Sequence, residues 1–340
     1  PKIIIKSATF SETGGGNGFE ILEKFRGKPV STPEFIRDDQ RGDDEKPPVG
    51  FYAGKKVSYI PEFEVLPQSI ETISAYCKGN IFGTAKKEFA VQNGRVKEKV
   101  EGKENVPFKC QKGPDFFDES VWKFEIYGVE LEMEEKAMDV FYYILLHERS
   151  SGDKPWKNLL KAAFDTWGIG GATTQQQLID QLSSGISKND LYNHDVDAEK
   201  GQTSSLYIIQ RKHPLSNTVF IGKMVDACAK GKKNAKIICA EAAALLQYVA
   251  SVLDRGQVGS RSVMWTEWKK VLNPVTGKEE KKIWREGHAY CIFGNFVQNP
   301  VPENGGPTNK EEESYINMEL KKGNRESFED PQPMVFEFVE

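Results

Sequence analysis

The sequence predicts an α+β fold: a β-rich N-terminal part, a helical middle subdomain, and a long C-terminal β-hairpin plus a terminal strand. Three observations predict it. Residues 1–130 are rich in β-branched and aromatic side chains, punctuated by Gly, Pro and Asn. Residues 131–256 carry apolar residues at helical spacing and end in an alanine-rich run. Residues 257–300 return to a strand pattern with Pro274 and Gly277 at its centre, a proline-fixed turn closed by a left-handed glycine. A chain of 340 residues can form two or three packed units. The shifts in composition divide it into 1–130, 131–256, 257–300 and an acidic tail, 301–340.

Taken in order, strands are expected at residues 2–10, 50–60, 80–91, 95–100 and 121–131. The opening PKIIIKSATF has too short an apolar run for a secretion signal and reads as the first strand. Asn93-Gly94 is a strong hairpin-turn signal, and the charged, proline-bearing residues 37–50 read as a solvated loop. In residues 130–148, Val140, Phe141, Ile144 and Leu145 fall on one helical face and acids crowd the first turn, which predicts a helix. Further helices are expected at 156–167, 173–182, 204–212, 219–229 and 234–254. The last contains Ala240, Ala242, Ala243, Ala244 and Ala250 among leucines and valines, which suits a central, closely packed helix. Lys236, Glu241 and Gln247 within it argue for a buried helix rather than a membrane span.

The stretch TWGIGGATTQQQL, residues 166–178, raises a sharper question. A phosphate cradle would need a strand before the glycines, and a Lys and a hydroxyl after them. Here a helix pattern precedes and no Gly-Lys-Ser/Thr follows; TGGGNG at residues 13–18 lacks that pair too. A helix-turn-helix reading would set Asp165 and Asp180 against a phosphate backbone. The stretch reads as a bend between helices, with Thr173 as N-cap and Gln176 as its capping-box partner.

The patterns of known chemistry are missing. The five cysteines, Cys77, Cys110, Cys228, Cys239 and Cys291, form no C-x-x-C pair, so reduced, mostly buried thiols are expected. His147, His194, His213 and His288 have no metal-ligand spacing. The oxygen-rich loop around His194 does not match a calcium loop, and no G-x-S-x-G nucleophile is present. The expectation is a protein that is not an enzyme, with no cofactor and no metal.

Charge is informative in its layout. The net charge of −4 points to neither nucleic acid nor membrane. Yet residues 207–285 hold fifteen Lys/Arg against six Asp/Glu, and residues 303–340 hold ten acids against four bases. The candidate nucleic-acid-binding residues are Lys230, Lys232 and Lys233 in a short basic turn, with Arg261, Trp268, Lys269, Lys270, Lys281, Lys282 and Arg285 in the hairpin, where bases interleave with rings. Trp284, Glu286, His288, Tyr290, Ile292 and Phe296 are expected to share one inward strand face. At the C-terminus, Met334, Phe336 and Phe338 share a face of a strand that could join its own sheet or the edge of a neighbour's.

These features suggest a non-enzymatic, self-assembling structural protein. A viral or phage coat or virion component fits, forming a homo-oligomer in the cytoplasm or virion with no membrane partner. The alternative is a nucleic-acid-binding protein, of nucleoprotein or single-strand-binding type, using the basic-aromatic region with the acidic tail as regulator.

Overall fold

Strand alternation builds the first part of the molecule. In Lys56–Leu66 every second side chain, from Val57 through Tyr59, Pro61, Phe63 and Val65, is buried. This strand pairs antiparallel with Lys2–Thr9 and Arg95–Lys97, and with Val100–Asn105. A second sheet sets Thr72–Lys78 between Lys87–Ala90 and Val121–Ile126. Its inward residues, Ile73, Ala75, Cys77, Trp122, Phe124 and Ile126, share a core with the first sheet. The Phe63 ring lies 4.8 Å from Trp122 and 4.9 Å from Phe124, edge-on to both. A buried ring contributes about 2–3 kcal/mol and an edge-to-face pair about 1 kcal/mol more. An exposed ion pair such as Lys97 with Glu62 contributes about 0–1 kcal/mol, so the aromatic cluster holds these sheets together.

The structure is a computed structural model that describes residues 1–10, 18–30, 34–37, 46–113, 121–131, 140–147, 152–188, 208–210, 216–230, 237–255, 257–273, 275–301, 306–308, 310–317, 321 and 325–340. The fold is mixed α+β and rich in strands, as the sequence predicts. It divides into two compact units. One comprises Pro1–Glu148, Asp153–Leu160 and Gly170–Thr174, the other Arg149–Gly152, Lys161–Ile169 and Gln175–Glu340.

Several elements differ from expectation. The helix expected at 130–148 is, in its described part, a strand, Tyr142–Leu145, running parallel to Val49–Tyr52. All four of its residues are buried. A strand covered on both faces is a continuous apolar run, and periodicity cannot separate it from a buried helix; its aromatic and β-branched content favours the strand. The described part of the helix expected at 204–212 is also a strand, Ile208–Gln210, paired with Ser216–Phe220. Residues 50–60 hold two strands broken at Gly54, whose φ is +75°. The Asn93-Gly94 turn forms with φ +52° and +72°, but the strands it joins belong to different sheets.

In the second unit, Gln175–Lys188 buries Leu178, Ile179, Leu182 and Ile186 on one face. Cys239–Leu253 is buried nearly all round, as its alanines suggest. Its N-terminus is capped by Glu241, which accepts the Ile238 N–H at 2.8 Å. Among the described residues no helix is long and apolar enough to cross a membrane.

The glycine-rich stretch is a bend. The first helix ends in a π turn, Ala162–Thr166, and Gly168 takes φ +71° beyond it. The Gly171 N–H then donates to the Cys110 carbonyl, and the Cys110 N–H to Ala172, both at 2.7 Å. The next helix starts at Gln175, so Thr174 rather than Thr173 occupies the N-cap position. Gln176 donates to Asp180 at 2.7 Å and is engaged within its own helix. The TGGGNG glycines up to Gly16, the loop 38–45 and the oxygen-rich loop around His194 lie outside the described residues.

All five cysteines are free thiols; Cys77, Cys110, Cys228 and Cys291 are buried. Burial pushes the Cys228 and Cys291 thiols up to about 12. Native protein should therefore react slowly with a thiol reagent at neutral pH, and all five thiols should react at once in denaturant. Both groups bind protons more tightly when folded. Their contribution to stability is full below the ordinary thiol value near 9 and is lost as pH rises toward 12. On the alkaline side, denaturant midpoints should fall as pH rises above about 9; a midpoint that rises over that range would contradict this.

Candidate nucleic-acid interface

The hairpin dominates the second unit. Gly259–Leu272 and Glu279–Phe293 pair antiparallel in fourteen unbroken register steps. Asn273 closes the loop: its N–H donates to the Lys278 carbonyl at 2.9 Å, and its side-chain oxygen accepts from Val275 and Thr276 at 2.9 and 3.2 Å. Gly277 supplies the expected left-handed position, with φ +64°; Pro274 lies outside the described residues.

The base of the hairpin is covered on both faces. On one, the Ser260 hydroxyl hydrogen-bonds Gln247 at 2.6 Å and the Cys291 thiol donates to the Ala243 carbonyl at 3.3 Å, so the small residues of Cys239–Leu253 admit the sheet closely. On the other, Val263, Tyr290, Val297 and Tyr315 form a buried cluster. The acidic tail is folded along the same stem: Arg325–Glu326 and Gln332–Pro333 pair with Gly259–Leu272. These pairings reach no farther than Glu267.

Beyond Glu267, among the described residues, only the two hairpin strands pair with each other. Five residues of strand, 268–272, reach about 17 Å as a two-stranded ribbon. Within it Lys269 stands directly opposite Lys282, and Lys270 opposite Lys281. Like charges at opposed positions of adjacent strands are destabilising. Lys270 and Lys281 are exposed, and one glutamate, Glu279, lies 3.2 Å from the Lys270 ammonium. Residues 269–282 hold five lysines and two glutamates.

The sequence-predicted residues therefore separate. Lys269, Lys270, Lys281 and Lys282 come together on the ribbon, with Trp268 and Arg285 on the same strands next to them. The side chains of Trp268, Lys269, Lys282 and Arg285 lie outside the described residues, as do Lys232 and Lys233. Lys230 is exposed at the end of Ile221–Ala229, another element of the unit. Arg261 lies at the hairpin base, eight residues or about 27 Å along the strand from Lys269. It is half-buried, with its Nε 3.9 Å from Glu312, a carboxylate that also accepts the Tyr290 hydroxyl at 2.8 Å. That hydrogen bond follows from burial, which is also the main cause of the raised Tyr290 pKa.

The inward strand face forms in part. Tyr290 is buried and His288 and Ile292 are half-buried, but Phe296 is not on that strand. The strand ends at Phe293, and the Gly294-Asn295 turn places Phe296 opposite it on the next one. The sequence reading also missed the tip: Leu272 and Val275 are 63% and 90% exposed. Two apolar residues flanking Asn273-Pro274 inside a lysine run were the available signal.

The terminal strand, Val335–Val339, joins its own chain, parallel to Ser216–Phe220. Phe338 packs 4.7 Å from the Tyr248 ring, Phe336 lies 6.0 Å from Phe338, and the Met334 N–H donates to Ser260 at 3.0 Å. Among the described residues its other edge is unpaired, and Val335 is 61% exposed. No cluster of His, Cys, Asp or Glu able to hold a metal occurs among the described residues. No protein-family model matches the sequence, and no curated protein matches it either.

Proposed function

We propose that the protein binds nucleic acid through the ribbon of its long hairpin, as a binding protein rather than an enzyme. The observation that carries this reading is the pair of successive Lys–Lys steps, 269 with 282 and 270 with 281. Each step costs stability in the free protein, and a polyanion offsets that cost. A two-stranded ribbon also has the width to enter a nucleic-acid groove. The test is fluorescence anisotropy with 30-nucleotide single-stranded and 30-base-pair duplex probes over a range of salt. Four phosphate contacts give a log–log salt slope of about −4, and a roughly hundredfold weakening between 50 and 200 mM salt. Absence of binding to either probe at low salt ends the proposal.

The unpaired edge of Val335–Val339 favours a second, compatible reading: self-assembly of this chain, edge to edge, as a structural unit. Under it, a Val335→Lys substitution lowers the particle mass measured by light scattering, because an edge charge blocks strand addition. A wild type that stays monomeric at high concentration removes this reading.

A further inference from the structure

The geometry points to Leu272 and Val275 as an apolar wedge that enters a base step of duplex DNA from the minor groove and kinks it; this rests on the nucleic-acid reading above. The two residues are among the exposed large hydrophobic side chains of the described chain, and both sit at the end of the same ribbon. Val275 is 90% exposed, an apolar side chain presented to solvent at the tip of the loop.

The tip is built to present them. Val275 and Thr276 donate to the Asn273 side-chain oxygen, the Gly277 N–H donates to the Asn273 carbonyl at 2.8 Å, and the Asn273 amide donates to Glu280 at 2.6 Å. A loop tied at both ends loses little conformational freedom when it inserts. The lysine steps lie two and three residues behind Leu272, about 7–10 Å back along the strands. A minor groove about 6 Å wide sets its phosphates at its rims, so cations at that distance from an inserted tip meet the backbone on either side. Apolar side chains inserted at such steps unstack the bases and bend the duplex by about 20–90°.

An anionic membrane is the other surface a basic, apolar-tipped ribbon could meet. The arrangement favours DNA. One leucine and one valine bury less apolar surface than a single fatty acyl chain, which itself gives only marginal anchoring.

The experiment measures energy transfer between dyes at the two ends of a 24-base-pair duplex, alongside anisotropy on the same probe. Wild-type protein should raise transfer as it binds. It should also bind a duplex with a central two-base mismatch roughly tenfold more tightly than a perfect one, because the unstacking is already done. The double variant Leu272→Ser/Val275→Ser alters exposed residues and should melt at the wild-type temperature. It should still give a salt-dependent anisotropy signal, with no rise in transfer and no preference for the mismatch. Binding without any rise in transfer overturns the wedge and leaves the nucleic-acid reading standing. So does an equal rise in the variant. No anisotropy change on any probe overturns both. Flotation with phosphatidylserine vesicles that depends on Leu272 and Val275, with the duplex left straight, assigns the tip to membranes instead.

Discussion

Exchanging Lys269 and Lys270 together for glutamate should make the protein more stable and a worse ligand for nucleic acid. Both lysines stand opposite other lysines, Lys282 and Lys281. The exchange turns two opposed like-charge steps into two opposed ion pairs, each contributing about 0.2–1 kcal/mol, for a gain of about 1 kcal/mol. The loss of the Lys270–Glu279 contact subtracts little, because both side chains are exposed. The same exchange removes two phosphate contacts and neutralises the two partner lysines. Affinity should fall at least roughly tenfold, and the salt slope should shrink by about 2 or more. The opposite signs are the diagnostic. A misfolded variant would lose both stability and affinity, and an unrelated surface change would move neither. Urea denaturation and probe anisotropy on one preparation read the two quantities.

Gly185→Ala should destabilise the second unit by about 2 kcal/mol, although alanine is the better helix former. In an open helix interior the exchange would gain about 1 kcal/mol. Gly185 is in the third turn of Gln175–Lys188, and a Cβ there would meet the Trp167 carbonyl oxygen at 2.3 Å, its Cα at 2.5 Å and its carbonyl carbon at 2.7 Å. These are backbone atoms of the bend that precedes the helix, so no side-chain rotation relieves the clash. Overpacking of this kind costs about 1–3 kcal/mol and more where backbone must move. For the half-buried Ser184, its neighbour on the same helix, substitution by alanine should be neutral or slightly stabilising. The denaturant midpoint of the Gly185 variant should fall, while that of the Ser184 variant should stay level or rise slightly.

Much of the fold was legible wherever one face of an element is buried and the other wet. Lys56–Leu66 alternates through its length, and the hairpin announces itself by turn residues between two long strands. Legibility failed where that contrast disappears. Tyr142–Leu145 is apolar on both faces and reads equally well as a helix. Thr72–Lys78 alternates, but Ala75 and Cys77 are small inward residues and the signal is weak. The pairing of Val335–Val339 with Ser216–Phe220 spans more than a hundred residues, and no local pattern encodes it.

The candidate interface divides the same way. Composition shows that lysines crowd the hairpin. Which lysines face each other depends on register, and register on the loop: once Asn273 pairs with Lys278 around four residues, every opposed step follows. The pairing of Arg261 with Glu312 depends on where the tail folds back, which the local sequence does not encode.

The most direct test of the account is lysine footprinting: acetylation rates measured by mass spectrometry with and without a bound duplex. If the ribbon is the interface, Lys269, Lys270, Lys281 and Lys282 become protected together, while exposed lysines of the first unit such as Lys103 react at the same rate in both samples. Equal reactivity of those four lysines in the presence of saturating duplex, or protection confined to the first unit, would contradict it.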